Sequence, residues 1–235
     1  MLIIRNPRAT LGLMTIVLCL VSLSALGQRV IDPAQFESAI MAFEMQDEIN
    51  MPAVGGIVLT GSSSIARWNQ QAEQALAPLS VIPRGFGGSV MEHVLYNLDR
   101  VALKYKPRAI LIYEGDNDTA FEIPQEKVIG QFNEIVARVH RELPETRVYI
   151  LSVKPSLARA TVWPQAKQLS AGLKLIAQSD PLLHYIDVAT PFLKADGTLM
   201  GDIFVEDGLH LNSKGNQIWG AAIKAGLIKI EGQYQ

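Results

Sequence analysis

The sequence predicts an α/β fold, a three-layer α/β/α sandwich around a parallel, flavodoxin-like sheet of about five strands. Strand-like and helix-like segments alternate along nearly the whole chain. The segments 109–113 (Ala-Ile-Leu-Ile-Tyr) and 148–153 (Val-Tyr-Ile-Leu-Ser-Val) are continuous apolar runs, the pattern of strands covered on both faces. The helices between them are long enough for crossover connections, which join parallel strands with a right-handed turn.

Taken in order, Phe36, Ile40 and Phe43 recur at helical spacing within a helix expected over 36–49 that ends near Pro52. A strand at 56–60 leads into a helix at 65–76. A short strand at 79–83 is followed by a helix at 90–105. The apolar strand 109–113 precedes a helix at 126–142, and the apolar strand 148–153 a helix at 165–178. The last strand falls at 184–188, and a closing helix spans 213–227 with Ser213 as its cap. In parallel sheets of this kind chemistry collects at the carboxyl ends of the strands. That rule marks the loops after Thr60, Pro83, Glu114 and Val153.

The 235 residues, 49% hydrophobic and 19% charged, suit one well-buried domain. A net charge of -2 with both signs dispersed gives no basic stripe, so nucleic acid is excluded as an expected partner. At the start, Arg5 and Arg8 precede an apolar run from Leu11 to Leu26, and Ala25-Leu26-Gly27 offers small residues to a signal peptidase. The expectation is a signal peptide over 1–27, a domain over 28–235, and a periplasmic or secreted protein with no membrane span after cleavage. A retained membrane anchor is the alternative, although the run is shorter than the ~20 residues a spanning helix needs. Cys19, the single cysteine, lies inside that run, so the cleaved chain would hold no thiol for catalysis or metal binding.

Four segments carry candidate chemistry. Gly61-Ser62-Ser63-Ser64 places hydroxyls where a strand turns into a helix, a rigid and exposed place for a nucleophile, and equally a place for a helix cap. No lysine follows, as a phosphate loop requires, and no glycine stands two residues after Ser63, as in the nucleophile elbow of α/β-hydrolases. Gly85, Gly87 and Gly88 miss the dinucleotide spacing, but glycines so close together leave backbone N–H groups open to a substrate oxygen, or else make a tight turn alone. Asn117, flanked by Asp116 and Asp118, can donate its amide into the same space. A calcium loop there fails at Ala120 and Phe121. Asp207, three residues before His210, can orient the imidazole through Nδ1 and leave Nε2 as a base, although such pairs are also common on polar loops. His93, His140 and His184 show no ligand spacing, so neither a metal nor a cofactor is expected.

In this order the four blocks, Gly61-Ser62-Ser63, Gly85-Phe86-Gly87-Gly88, Gly115-Asp116-Asn117-Asp118 and Asp207-Gly208-Leu209-His210, resemble the SGNH (GDSL-type) hydrolase superfamily. Phe43, Gln46 and Asp47, with Ile65-Ala66-Arg67-Trp68, resemble a bacterial secreted branch of it. The resemblance implies Ser63 as nucleophile, His210 as base and Asp207 as its orienting acid. It implies an oxyanion hole of the Ser63 and Gly88 backbone N–H groups and the Asn117 side chain. Ser62 departs from the family's Gly-Asp-Ser pattern, and the register that selects Ser63 among three serines rests on the resemblance.

The implied activity is a serine esterase that cleaves carboxylic esters through an acyl-enzyme. No long apolar lid is visible in the sequence, so a short acyl group such as acetyl, on a carbohydrate or lipid, is expected rather than a long-chain one. An O-acyltransferase using the same site, and a noncatalytic carbohydrate- or lipid-binding module, are the alternatives. Arg67, Trp68, Arg84 and Phe86 are expected near the mouth of the site, where a cation beside aromatics suits a sugar, a phospholipid head group or an acidic polysaccharide, with packing against the glycine-rich loop the alternative for Trp68. The oligomeric state is not legible in the sequence.

Overall fold

The computed structural model describes residues 30–234. The expected signal segment and Cys19 lie outside them. Helix α1 (Glu37–Ile49) precedes strand β1 (Ile57–Gly61). Then follow α2 (Ser63–Ala66), α3 (Ala72–Leu76), β2 (Val81–Gly85), α4 (Met91–Tyr96), α5 (Leu98–Val101) and β3 (Ala109–Tyr113). The second half holds α6 (Asp116–Ala120), α7 (Gln125–Glu142), β4 (Arg147–Leu151), α8 (Trp163–Ala177), β5 (Leu183–Ile186) and α9 (Ser213–Glu231). All five strands pair in parallel in the order β2-β1-β3-β4-β5, the flavodoxin-like order, with β1 the switch point.

Strand alternation divides the core into two layers. Val58, Ile110, Ile112, Val148 and Ile150 face α1, α4, α5, α7 and α8. Ile57, Leu59, Leu111, Tyr149 and Leu151 face α2, α3 and α9. Among the described residues no helix is long and apolar enough to cross a membrane.

Strand β2 lies two residues later than the expected 79–83, β5 ends at Ile186 before the expected 188, and α9 runs on to Glu231 past the expected 227. Three further departures have a local cause. The helix expected over 65–76 breaks into α2 and α3, because Asn69 bonds Gly85 through both ends of its amide: Nδ2 donates to the Gly85 carbonyl at 2.9 Å and Oδ1 accepts its N–H at 3.1 Å. This pairing extends the edge of β2 and holds residues 67–71 out of helical register. The helix expected over 90–105 is interrupted at Asn97, whose Nδ2 donates to the His93 carbonyl at 3.0 Å. At the start of α9 the cap is Asn212, not Ser213: Asn212 is extended and its Oδ1 accepts the Gly215 N–H at 3.1 Å, while Ser213 is already helical.

Candidate active site

The carboxyl ends of β1, β2 and β3 bring the first three blocks together. Gly61 has φ +123°, and a Cβ there would strike the Tyr113 carbonyl at 2.1 Å, so only glycine lets β1 leave the sheet this close to β3. The Ser62 N–H then donates to the Tyr113 carbonyl at 3.0 Å, and Ser63 opens α2, half-buried. Beside it, a Cβ on Gly87 would lie 3.8 Å from the Ser63 Cβ, which puts the glycine loop against the serine.

His210 arrives from the other end of the chain. Its Nε2 lies 2.9 Å from Ser63 Oγ, and its Nδ1 lies 2.6 Å from Asp207 Oδ2. The other carboxylate oxygen, Asp207 Oδ1, accepts the backbone N–H groups of Leu209 at 2.9 Å and His210 at 2.8 Å. This turn is pinned further by the Val205 N–H donating to the His210 carbonyl at 2.8 Å. Bonds from the His210 side chain, then from the His210 and Leu209 N–H groups, hold the Asp207 carboxyl far below the usual carboxylate range. A carboxylate that stays ionised keeps the Nδ1 proton in place and leaves Nε2 to face the serine hydroxyl.

Asn117 sits in α6, with Nδ2 donating to Ser62 Oγ at 2.6 Å and to the Ser89 carbonyl at 2.8 Å. Both amide hydrogens are therefore directed into the space between the serine loop and the glycine loop. Ser62, the residue that departs from the family pattern, makes no side-chain cap to α2 and serves instead as an acceptor for Asn117.

The model of the GDSL-like lipase/acylhydrolase family matches residues 53–218. The chain belongs to that family. It is accordingly a carboxylic ester hydrolase. Among curated proteins, it is 25% identical over 184 residues to the platelet-activating factor acetylhydrolase IB subunit alpha1 of Homo sapiens, covering 76% of this chain and 78% of that one. Among solved structures, it is similar in fold to a GDSL-like lipase from Bacteroides thetaiotaomicron, with TM-score 0.70, 16% identity, and coverage of 84% of this chain and 99% of the other. It is likewise similar to an acetylxylan esterase from Geobacillus stearothermophilus, with TM-score 0.60, 13% identity, and coverage of 74% and 95%.

Within this GDSL-family site, three of the four residues expected at its mouth lie elsewhere. Trp68 is buried in the layer under α9, where a Cβ on Gly220 would come within 3.1 Å of its ring. Phe86 is buried on the other layer, 5.4 Å from Phe36 between ring centroids. The Arg84 guanidinium is taken up by Asp47 and by the Tyr105 hydroxyl at 2.6 Å, with the Phe43 ring 5.2 Å away. A cation can be buried at that place because it has a carboxylate and a phenol oxygen to bond. Arg67 is exposed and lines a 530 Å³ cavity with Phe43, Gln46 and Glu73.

The loop after β4 contributes two residues that motif reading did not single out. Lys154 is buried, with Nζ donating to the Leu209 carbonyl at 2.8 Å and lying 3.4 Å from Asp116 Oδ2. Burial lowers its pKa, against the pull of Asp116. Arg159 bonds Asp116 Oδ1 through Nη1 at 2.7 Å and Asn117 Oδ1 through Nη2 at 2.6 Å. The carboxyl-end rule had marked this loop, and these are the two charged residues between 154 and 162.

Proposed function

We propose that the chain is a secreted or periplasmic esterase that removes short acyl groups, acetyl foremost, through an acyl-enzyme on Ser63. The observation that carries this is the alignment of Ser63 Oγ, His210 and Asp207 through contacts of 2.9 and 2.6 Å. His210 Nε2 takes the Ser63 proton as Oγ attacks the ester carbonyl, and returns it to the departing alcohol. Water, deprotonated by the same nitrogen, then attacks the acyl-enzyme and releases the acid and free Ser63. The developing oxyanion would be met by the N–H groups of Ser63 and Gly88 and by Asn117 Nδ2, with the oxyanion taking the place of the Ser62 hydroxyl as acceptor of one amide hydrogen.

Support for a small acyl group comes from two of the similar proteins, an acetylhydrolase and an acetylxylan esterase. Support for export comes from the basic and then apolar start of the sequence, which the bacterial secreted branch would share.

The test is hydrolysis of nitrophenyl acetate, butyrate and octanoate by Ser62→Ala, Ser63→Ala and Ser64→Ala. Loss confined to Ser63→Ala, with rates falling as the acyl chain lengthens, is expected. Full activity in Ser63→Ala would overturn the nucleophile, and a preference for octanoate would overturn the acyl size. Release of free acetate in the presence of added alcohol separates hydrolysis from acyl transfer. The N-terminal sequence of the exported protein, expected to begin at Gln28, tests cleavage after Gly27.

A further inference from the structure

An asparagine amide presents donors at one end and an acceptor at the other, and a half-turn about its last bond exchanges them. In the proposed oxyanion hole only one of the two orientations works: Nδ2 toward the substrate oxygen stabilises it, whereas Oδ1 there would repel it.

We propose that Arg159 is a positioning residue that locks the Asn117 amide in its working orientation. This rests on the reading of Asn117 as an oxyanion donor. A guanidinium has five N–H donors and no acceptor, so the atom it bonds must be Oδ1. Arg159 Nη2 reaches Asn117 Oδ1 at 2.6 Å, while Nη1 bonds Asp116 Oδ1 at 2.7 Å. The two contacts span neighbouring residues of α6 and hold the fork in one plane, as a point charge would not. On the opposite side, the Ser89 carbonyl, an acceptor only, takes the Nδ2 hydrogen at 2.8 Å. Ser62 Oγ, which can donate or accept, has no preference of its own. Arg159 and Ser89 thus define the amide orientation between them, and Arg159 is the member that a side-chain substitution can remove.

The backbone around Arg159 ties the same device to the base. The Ala158 N–H donates to the Gly208 carbonyl at 3.0 Å, and Lys154, at the root of the loop, donates to the Leu209 carbonyl at 2.8 Å. Asp207-Gly208-Leu209-His210 and Asn117 are therefore held by one loop. A shift of that loop would move the base and the oxyanion donor together.

A kinetic double-mutant cycle on nitrophenyl acetate tests the proposal with the parent, Arg159→Met, Asn117→Ala and the double variant, each with its melting temperature and a Ser63→Ala control. Loss of one oxyanion donor typically costs ~100- to 1,000-fold in rate. Arg159→Met is expected to lower kcat by ~10- to 100-fold with KM changed less than ~3-fold, and to have less than a ~3-fold effect once Asn117 is alanine. If Arg159→Met does not fold, Arg159→Lys carries the same cycle: it keeps the charge beside Asp116 but lacks the fork, and is expected to lose kcat in the same way.

Equal losses from Arg159→Met in both backgrounds, or a change confined to KM, would overturn the positioning role. Activity surviving in Ser63→Ala would instead overturn the site reading itself, and the two failures are distinct.

Discussion

Asn117 Nδ2 donates to Ser62 Oγ at 2.6 Å, so the proposed oxyanion donor is held by the residue that departs from the family's Gly-Asp-Ser pattern. Asn117→Ala removes that donor and leaves Ser62, the Ser89 carbonyl and Arg159 each short of a bond. The expected result is a ~100- to 1,000-fold lower kcat together with a stability loss of ~1–3 kcal/mol, since buried polar groups are left unsatisfied. Ser62→Ala removes only an acceptor that the oxyanion would replace, and activity is expected to stay within about tenfold of the parent. Steady-state kinetics and chemical denaturation of the two variants check both. A Ser62→Ala variant as damaged as Asn117→Ala would contradict the exchange of acceptors.

Asp207→Asn sets the His210 tautomer against the reaction. Both carboxylate oxygens are in use: Oδ1 accepts two backbone N–H groups and Oδ2 faces Nδ1. Asparagine keeps its oxygen on the backbone donors and turns its NH2 toward Nδ1. That nitrogen must then accept, which leaves the proton on Nε2, where it faces the serine oxygen and cannot take its hydrogen. kcat is expected to fall ~1,000- to 10,000-fold with melting nearly unchanged, because Asp207 is exposed. Kinetics of this variant within tenfold of the parent would remove Asp207 from the triad.

The layer architecture was legible because continuous apolar strands and periodic helices are properties of single segments, and β3 falls on the residues expected, 109–113. The candidate motifs were legible for a related reason: the first three are short segments at or just after the ends of β1, β2 and β3, and the fourth, 207–210, is a short turn just before α9. What the sequence concealed depends on partners far away in the chain. Arg84 and Phe86 adjoin glycines near the site and Trp68 follows the serine loop by a few residues, yet Asp47 and Tyr105 draw the arginine inward, 37 and 21 residues distant, and the rings pack into opposite layers. Arg159 and Lys154 carry no motif, and their bonds reach across 38 to 55 residues. Asn69 broke a helix whose local pattern was continuous, because its amide found the edge of β2.

Glu114 offers a test of pH dependence away from the triad. It is fully buried, with Oε1 accepting from the Ser89 hydroxyl at 2.5 Å. Burial, and then the charge of Asp118, push its carboxyl well above the usual range. A group whose pKa is higher folded than unfolded binds its proton more tightly in the folded chain, so stability falls as pH rises above the unfolded value near 4.5. Glutamine in its place has no proton to lose. The difference in melting temperature, Glu114→Gln minus parent, is therefore expected to grow in favour of the variant from pH 4.5 to pH 8. A difference that stays flat over that range would show that Glu114 titrates alike in both states.

Glu231 closes the opposite pole of the sheet from Ser63. At the end of α9, fully buried, it accepts from Arg147 Nε at 2.5 Å and Nη2 at 2.9 Å, from Arg108 Nε at 3.1 Å, and from the Tyr149 hydroxyl at 2.8 Å. Arg108 and Arg147 flank the amino-terminal ends of β3 and β4, so one carboxylate fastens the last helix to two strands. Burial alone would raise its pKa, but the bonds from Arg147 and Tyr149 prevail and lower it. Its contribution is therefore present above the unfolded value of 4.5 and is lost as pH falls through the depressed folded value. Glu231→Ala leaves the two guanidiniums without this carboxylate and is expected to cost ~3–5 kcal/mol at pH 7, or roughly 10 °C in melting temperature for a chain of this size. Because the site lies at the other ends of the strands, kcat measured at 25 °C should be unaffected. Denaturant titrations at pH 7 and pH 3 are expected to show the penalty shrinking in acid; an equal penalty at both would mean that packing, not the ion pairs, holds α9 in place.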